Sequence, residues 1–275
     1  GLQVVDAQRV LALRLAAVSD TPRLDAELLM AHAAGMERGD LILGLRDMEA
    51  PEGFTALVER RLAHEPVSHI IGTRDFWTLT LNVTPHVLTP RPDSETLIEA
   101  AVAHFAGTTG PRRILDLGTG SGALLLAALS EWPAATGLGI DISAAALDVA
   151  RCNAERCDLS DRAELRIGKW FEGIDECFDL ILANPPYIAT DAMLPRDVAE
   201  YEPHLALFAG ADGLDAYRIL APALSAHLAL GGMAAVEIGF DQGETAAVLF
   251  AEQGFSVSVL NDLGGNPRCL KLPQA

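Results

Sequence analysis

The chain has 275 residues, half of them hydrophobic, and a formal net charge of −18. That length suits one large domain, or a large one with a small companion. An acidic balance without clustered Lys and Arg argues against nucleic acid as a direct partner, and four cysteines (Cys152, Cys157, Cys177, Cys269) without a CxxC pair predict neither a disulfide framework nor a zinc site.

No uncharged apolar run reaches a membrane-spanning length. Leu220 to Val236 comes nearest, and it holds Ser225, His227 and Gly231-Gly232. Gly1-Leu2-Gln3 carries no basic leader, so a soluble cytoplasmic protein is expected. The seven histidines lack ligand spacing, His64 and His69 straddle Pro66, and no metal is expected. Most of the negative charge lies after residue 65, which fits solubility or attraction of a basic protein.

Residues 1–66 read as a helical module. Val4, Ala7, Leu11, Leu15 and Val18 share one face of a first helix. Thr21-Pro22 reads as a cap followed by proline in the first turn of a second helix, which Gly35 stops. Asp40 is placed as the cap of a short third piece through Leu45. Phe54, Leu57, Val58 and Leu62 mark a fourth helix, ended before Pro66.

Residues 67–92 change character and predict a β-hairpin linker. Phe76-Trp77-Thr78-Leu79-Thr80-Leu81-Asn82-Val83 is aromatic and β-branched. Pro92 is placed at the start of a helix carrying Leu97, Ile98, Ala101 and Val102.

Residues 93–275 alternate strand and helix patterns, the mark of an α/β domain with a parallel sheet. Strands are expected at 113–117, 137–141, 163–167, 179–183, 233–238, 255–260 and 267–272. Helices are expected near 121–131, 143–155, 213–229 and 242–253. The last two strands are too close for a crossover helix, so they pair antiparallel as an edge hairpin.

The first of these strands runs into a glycine turn, Asp116-Leu117-Gly118-Thr119-Gly120-Ser121-Gly122. Glycines there permit positive φ and let the backbone approach a ligand. Asp141 ends the next strand, where a carboxylate can accept both hydroxyls of a ribose or cap the helix that follows. Trp170 follows the third strand and is either an adenine-stacking face or a core residue. After the fourth strand comes Asn184-Pro185-Pro186-Tyr187. Two prolines cannot extend a ladder, so the chain turns out of the sheet there and presents a stiff rim of acceptors. Such a rim suits a planar NH2 group, whose two donors need two acceptors.

The order of glycine turn, Asp141, Trp170 and Asn184-Pro185-Pro186-Tyr187 resembles amino-methyltransferases. With Ile71-Gly72, Phe76-Trp77, Pro90-Arg91-Pro92-Asp93-Ser94-Glu95, Glu202-Pro203-His204-Leu205-Ala206-Leu207 and Gly213-Leu214, it resembles more narrowly the HemK-like release-factor glutamine methyltransferases over nearly the whole chain. The resemblance implies a class I methyltransferase fold: a Rossmann-like, seven-stranded, mostly parallel sheet with an antiparallel edge hairpin, behind an N-terminal helical domain that binds the substrate protein. It implies S-adenosyl-L-methionine as methyl donor, S-adenosyl-L-homocysteine as product, and the glutamine of a release factor's Gly-Gly-Gln loop as acceptor, with a monomer at work. By matching position, Asp116, Gly118, Thr119, Gly120, Ser121, Gly122, Asp141, Trp170 and Asn184 hold the cofactor, and Asn184, Pro185, Pro186 and Tyr187 hold the amide. Lys169 departs from the family pattern, which often has an acidic or small polar residue there. The rival readings are an adenine-amino DNA or RNA methyltransferase, which presents the same NH2 geometry, and a silent binding module on the same fold.

Overall fold

The fold comes from a computed structural model that describes residues 3–44 and 49–275. The chain makes two compact units: Gly1–Thr73 with Leu194–Glu202, and Arg74–Met193 with Pro203–Ala275.

The first unit is helical: α1 (Val4–Leu15), α2 (Pro22–Ala34), α3 (Arg38–Gly44), α4 (Phe54–Leu62) and α5 (Val67–Ile71). Ala7, Leu11 and Leu15 bring the stripe of α1 onto Leu29 and Met30 of α2, Leu41 of α3, and Phe54 and Val58 of α4. The side chain of Val4, and Leu45, lie outside the described residues. Pro22 opens α2 and Gly35 closes it at φ 68°, but the Thr21 hydroxyl donates to Asp25 Oδ1 instead of capping. Asp40 is no cap either. The α3 helix starts at Arg38, with Leu41 N–H bonded to the Glu37 carbonyl, so Asp40 falls inside its first turn. The five residues of α5 begin what the sequence reads as linker. Pro66 precedes them, and Val67 and Ile70 are buried in the helical core.

The Arg61 guanidinium is buried in this unit. Its Nε donates to Asp25 Oδ2 at 3.0 Å and its Nη2 to the Val18 carbonyl at 3.0 Å. Removing one partner of a buried pair leaves the other charge uncompensated. Arg61→Ala is therefore expected to lower unfolding free energy by about 3 kcal/mol, read by urea titration of the full chain. Unchanged stability would contradict that account.

The second unit opens with a hairpin, β1 (Thr73–Phe76) and β2 (Leu79–Asn82), and a 3-10 turn at Pro92–Ser94. There follow α6 (Glu95–Phe105), β3 (Arg113–Leu117), α7 (Ala123–Glu131), β4 (Thr136–Asp141), α8 (Ala144–Arg156), β5 (Ala163–Ile167) and β6 (Phe178–Ala183). Then come α9 (Arg196–Tyr201), α10 (Asp215–Leu224), β7 (Leu228–Glu237), α11 (Gly243–Ala251), β8 (Ser258–Asn261) and β9 (Pro267–Pro273). Of these, α9 belongs to the helical unit, where the Tyr201 hydroxyl donates to the Ala63 carbonyl at 3.1 Å.

The seven strands run β5-β4-β3-β6-β7-β9-β8. Five are parallel and β9 is antiparallel to both its neighbours, as expected for the edge hairpin. Alternate strand residues face opposite helix layers. Ile114, Leu180, Leu182 and Met233 pack with α6 and α7, while Leu115, Leu117, Ile181 and Val236 pack with α10 and α11. A sheet covered on both faces needs this near-continuous apolar run. Among the described residues no helix is long and apolar enough to cross a membrane.

Several boundaries differ from the sequence reading. The expected helix 213–229 spans only Asp215–Leu224, with Pro222 inside it; a 3-10 turn at Ser225–His227 follows, and β7 starts at Leu228. The Gly-Gly pair is a bulge in that strand: the register shifts between Phe178↔Leu228 and Leu180↔Met233, Gly231 has φ 75°, and a Cβ on Gly232 would crowd the Asp179 carbonyl. The strand expected from 255 starts at Ser258, because Phe255 turns into the core beside Phe250.

Candidate active site

The sheet order reverses direction at β3, with β4 on one side and β6 on the other. Such a switch point leaves a crevice at the carboxyl ends of the strands. The glycine turn leaves β3 and the Asn-Pro-Pro-Tyr rim leaves β6. Leu117 and Ala183, the last residues of the two strands, are register partners. The two motifs, 66 residues apart by their first members Gly118 and Asn184, are therefore brought side by side.

A cavity of about 350 Å³ opens there. Its walls include Asp116, Gly118, Thr119, Gly120 and Ser121, together with Asp141, Trp170 and all four residues from Asn184 to Tyr187. Gly122 does not line it. At φ 84° it turns the chain into α7, and a Cβ there would press on Leu126 and Ala150. Gly118 at φ 68° and Gly120 at φ 54° keep the turn tight.

Asp116 is buried. Its Oδ2 accepts from Thr119 Oγ1 at 2.7 Å, and its Oδ1 has no hydrogen-bond partner among the described residues. Burial pushes the carboxyl up to about 7, against the pull of the Thr119 hydroxyl and the Leu125 backbone N–H. Asp141 braces the turn: one oxygen accepts from Gly120 N–H and the other from Ser143 N–H, both at 2.9 Å. The helix cap is Ser143, whose hydroxyl accepts from Ala146 N–H. An ionised carboxylate has about four lone-pair sites, so two bonds leave Asp141 able to accept more. Trp170 sits at φ 50°, half-buried against the second core.

Pro185 is buried, and Asn184, Pro186 and Tyr187 are half-buried. The segment beyond them is held by Ile188 N–H to the Leu207 carbonyl at 3.0 Å and Ala209 N–H to the Ile188 carbonyl at 2.9 Å. This draws Pro203, Leu205, Ala206 and Leu207 into the cavity wall.

Several contributors carry no local sequence signal. Glu237, at the end of β7, lines the cavity and accepts from the Tyr187 hydroxyl at 3.1 Å and from the Ser94 hydroxyl. Burial pushes the Glu237 carboxyl up against those bonds and the Arg268 charge. Asn153 donates to the Ser121 carbonyl at 2.8 Å and pairs with both backbone groups of Asn82, tying the glycine turn to the hairpin. Of these only Ser94 lies in a motif legible beforehand, the Pro90–Glu95 run, which also puts Arg91 on the cavity wall.

Comparison with known proteins covers both units. The family described as PrmC N-terminal domain matches residues 6–72, and a methyltransferase domain matches residues 110–210. The chain is 45% identical over 283 residues to the release factor glutamine methyltransferase of Cereibacter sphaeroides, covering all of both chains. It is 44% identical over 256 residues to that of Caulobacter vibrioides, covering 90% of this chain and 88% of the relative. Among solved structures, a methyltransferase from Pyrococcus furiosus superposes with a TM-score of 0.56 at 18% identity, over 80% of this chain and 98% of that one. The 16S rRNA N2 G1207 methyltransferase of T. Thermophilus, in complex with AdoMet and guanosine, gives 0.53 at 20% identity, over 74% and 50%. At those identities the structural likeness speaks for the fold.

Proposed function

Since the chain belongs to the release factor glutamine methyltransferase family, we propose that it methylates the side-chain amide nitrogen of the glutamine in the Gly-Gly-Gln motif of release factors. The observation carrying this reading is one cavity walled by both the glycine turn and the Asn184–Tyr187 rim. The donor is S-adenosyl-L-methionine, which when bound supplies an electrophilic methyl on a sulfonium. The orphaned Asp116 Oδ1 suits its ammonium, Asp141 its ribose hydroxyls, and Trp170 its adenine. S-adenosyl-L-homocysteine is the product. The helical unit carries the docking surface for the release factor, and the chain works as a monomer in the cytoplasm.

The chemistry asked of the chain is positioning. An amide nitrogen is a poor nucleophile because its lone pair is delocalised into the carbonyl. The Asn184 side-chain oxygen and the Pro185 carbonyl accept the two N–H donors of the substrate carboxamide and fix its plane. Leaving such groups buried and unpaired costs roughly 1–3 kcal/mol each, so a side chain without the NH2 is rejected. Orientation alone can supply several kcal/mol of the barrier. No residue is needed as a dedicated base, because the alkylated nitrogen is cationic and strongly acidic, so one of its two protons passes to water.

Asp116 gives the site a pH signature. Its carboxyl titrates near 7 in the fold against 3.8 ordinarily. Between those values the folded state holds a proton that the unfolded chain has released, so this group's contribution to stability falls as pH rises through that window. A ligand ammonium needs the ionised form. Cofactor affinity is therefore expected to weaken about fivefold from pH 7 to pH 6, a window below the titration of an α-amino group near 8. Calorimetry on wild type and Asp116→Asn checks this: the variant binds more weakly and shows a flat profile. A flat wild-type profile would contradict the role of Asp116.

Incubating the enzyme with labelled donor and either a release factor or DNA, followed by mass spectrometry, tests the reaction. Methyl-glutamine in the release factor supports the proposal, and methyl-adenine in DNA overturns it in favour of the nucleic-acid reading.

A further inference from the structure

Tyr187 is held at both ends by side chains from one stretch of chain. Glu237, 3% exposed, ends β7 and takes the Tyr187 phenol on Oε2 at 3.1 Å and the Ser94 hydroxyl on Oε1. Burial, then the neighbouring Glu237 charge, hold the phenol well above its ordinary pKa, so it remains a donor at neutral pH. On the far side, Gln242 Nε2 donates to the Tyr187 carbonyl at 2.9 Å while its Oε1 accepts from Gly239 N–H at 2.9 Å. Gly213 backs the same carbonyl: its φ is 77°, and a Cβ there would collide with that oxygen. Two buried polar side chains thus converge on one residue of the rim. Between that residue and β6 lie only Asn184 and two prolines, whose φ angles are fixed. With β6 locked by its ladder, the aim of the Asn184 amide and Pro185 carbonyl depends on where Tyr187 is pinned.

We propose that Glu237 and Gln242 are positioning residues for the methyl transfer, acting through Tyr187 to set the two acceptors against the substrate carboxamide. The inference rests on the reading of Asn184–Tyr187 as the amide grip. It predicts a loss in kcat, not in cofactor binding, and a loss that requires Tyr187.

The test uses the full-length enzyme and steady-state methylation of a release factor. Glu237→Gln and Gln242→Glu keep side-chain shape while replacing an acceptor oxygen by an NH2 donor and the NH2 donor by an acceptor, respectively. Each is expected to lower kcat about tenfold, the worth of one buried hydrogen bond, with KM for the release factor and Kd for S-adenosyl-L-methionine within about twofold of wild type. Tyr187→Phe with Glu237→Gln is expected to be no slower than the slower single variant. The proposal is overturned if Glu237→Gln and Gln242→Glu retain wild-type kcat while Asn184→Ala does not, in which case the grip stands without its supports. It is also overturned if the Tyr187 and Glu237 losses multiply, or if the kcat loss merely tracks a lost folded fraction. Wild-type turnover by Asn184→Ala would instead remove the underlying reading and this inference with it.

Discussion

Asn184→Ala is expected to lower turnover on a release factor by about 10²-fold or more, the scale set by losing the orientation of a reacting group. The affinity for S-adenosyl-L-methionine should change by no more than about threefold, because Asp116, Asp141 and the glycine turn keep their bonds. Asn184 leads out of β6 and is the first residue free of the ladder, half-buried in the cavity wall. Its amide is the only side chain of the rim offering a carbonyl oxygen; Pro185 and Pro186 contribute main-chain acceptors alone. Single-turnover methylation with calorimetry in parallel separates the two effects. Wild-type turnover in this variant would remove the proposed grip.

Asp141 ends β4, two strands from β6, and Asp141→Ala is expected to act on cofactor binding. Two backbone donors, Gly120 N–H and Ser143 N–H, lose their acceptor, and a bound ribose loses its own. At roughly 1–3 kcal/mol for each stranded group, cofactor Kd should rise about 10²-fold. Saturating donor should recover much of kcat. Helix α8 should survive, because Ser143 provides its cap. An unchanged Kd by calorimetry would contradict the assignment of Asp141.

The contrast between these residues and Glu237 shows what a sequence can disclose. Asn184-Pro185-Pro186-Tyr187 is legible because two adjacent prolines after an apolar run force an exit from the sheet. The glycine turn is legible for a similar local reason, and the alternation of apolar runs gives the sheet and its edge hairpin. Glu237 is not legible: it stands in an apolar stretch, 50 residues from Tyr187 and 143 from Ser94, and only strand order brings the three together. Asn153 is hidden in the same way, 71 residues from Asn82. The bulge at Gly231-Gly232 misled the boundary of β7, since a glycine pair reads equally as a break or as an insertion within a strand. The hairpin turn at Trp77 carries no glycine or asparagine, and its φ of 55° contradicts the usual preference of an aromatic residue. Asp40 misled because a capping residue type fell within the first turn of a helix already begun.

One assay bears directly on whether a stiff rim of acceptors holds a flat carboxamide for alkylation. A release factor and its variant with the Gly-Gly-Gln glutamine replaced by alanine are incubated with enzyme and labelled S-adenosyl-L-methionine. One methyl group is expected per wild-type release factor, on that glutamine, and none on the variant. Equal labelling of both proteins would contradict it.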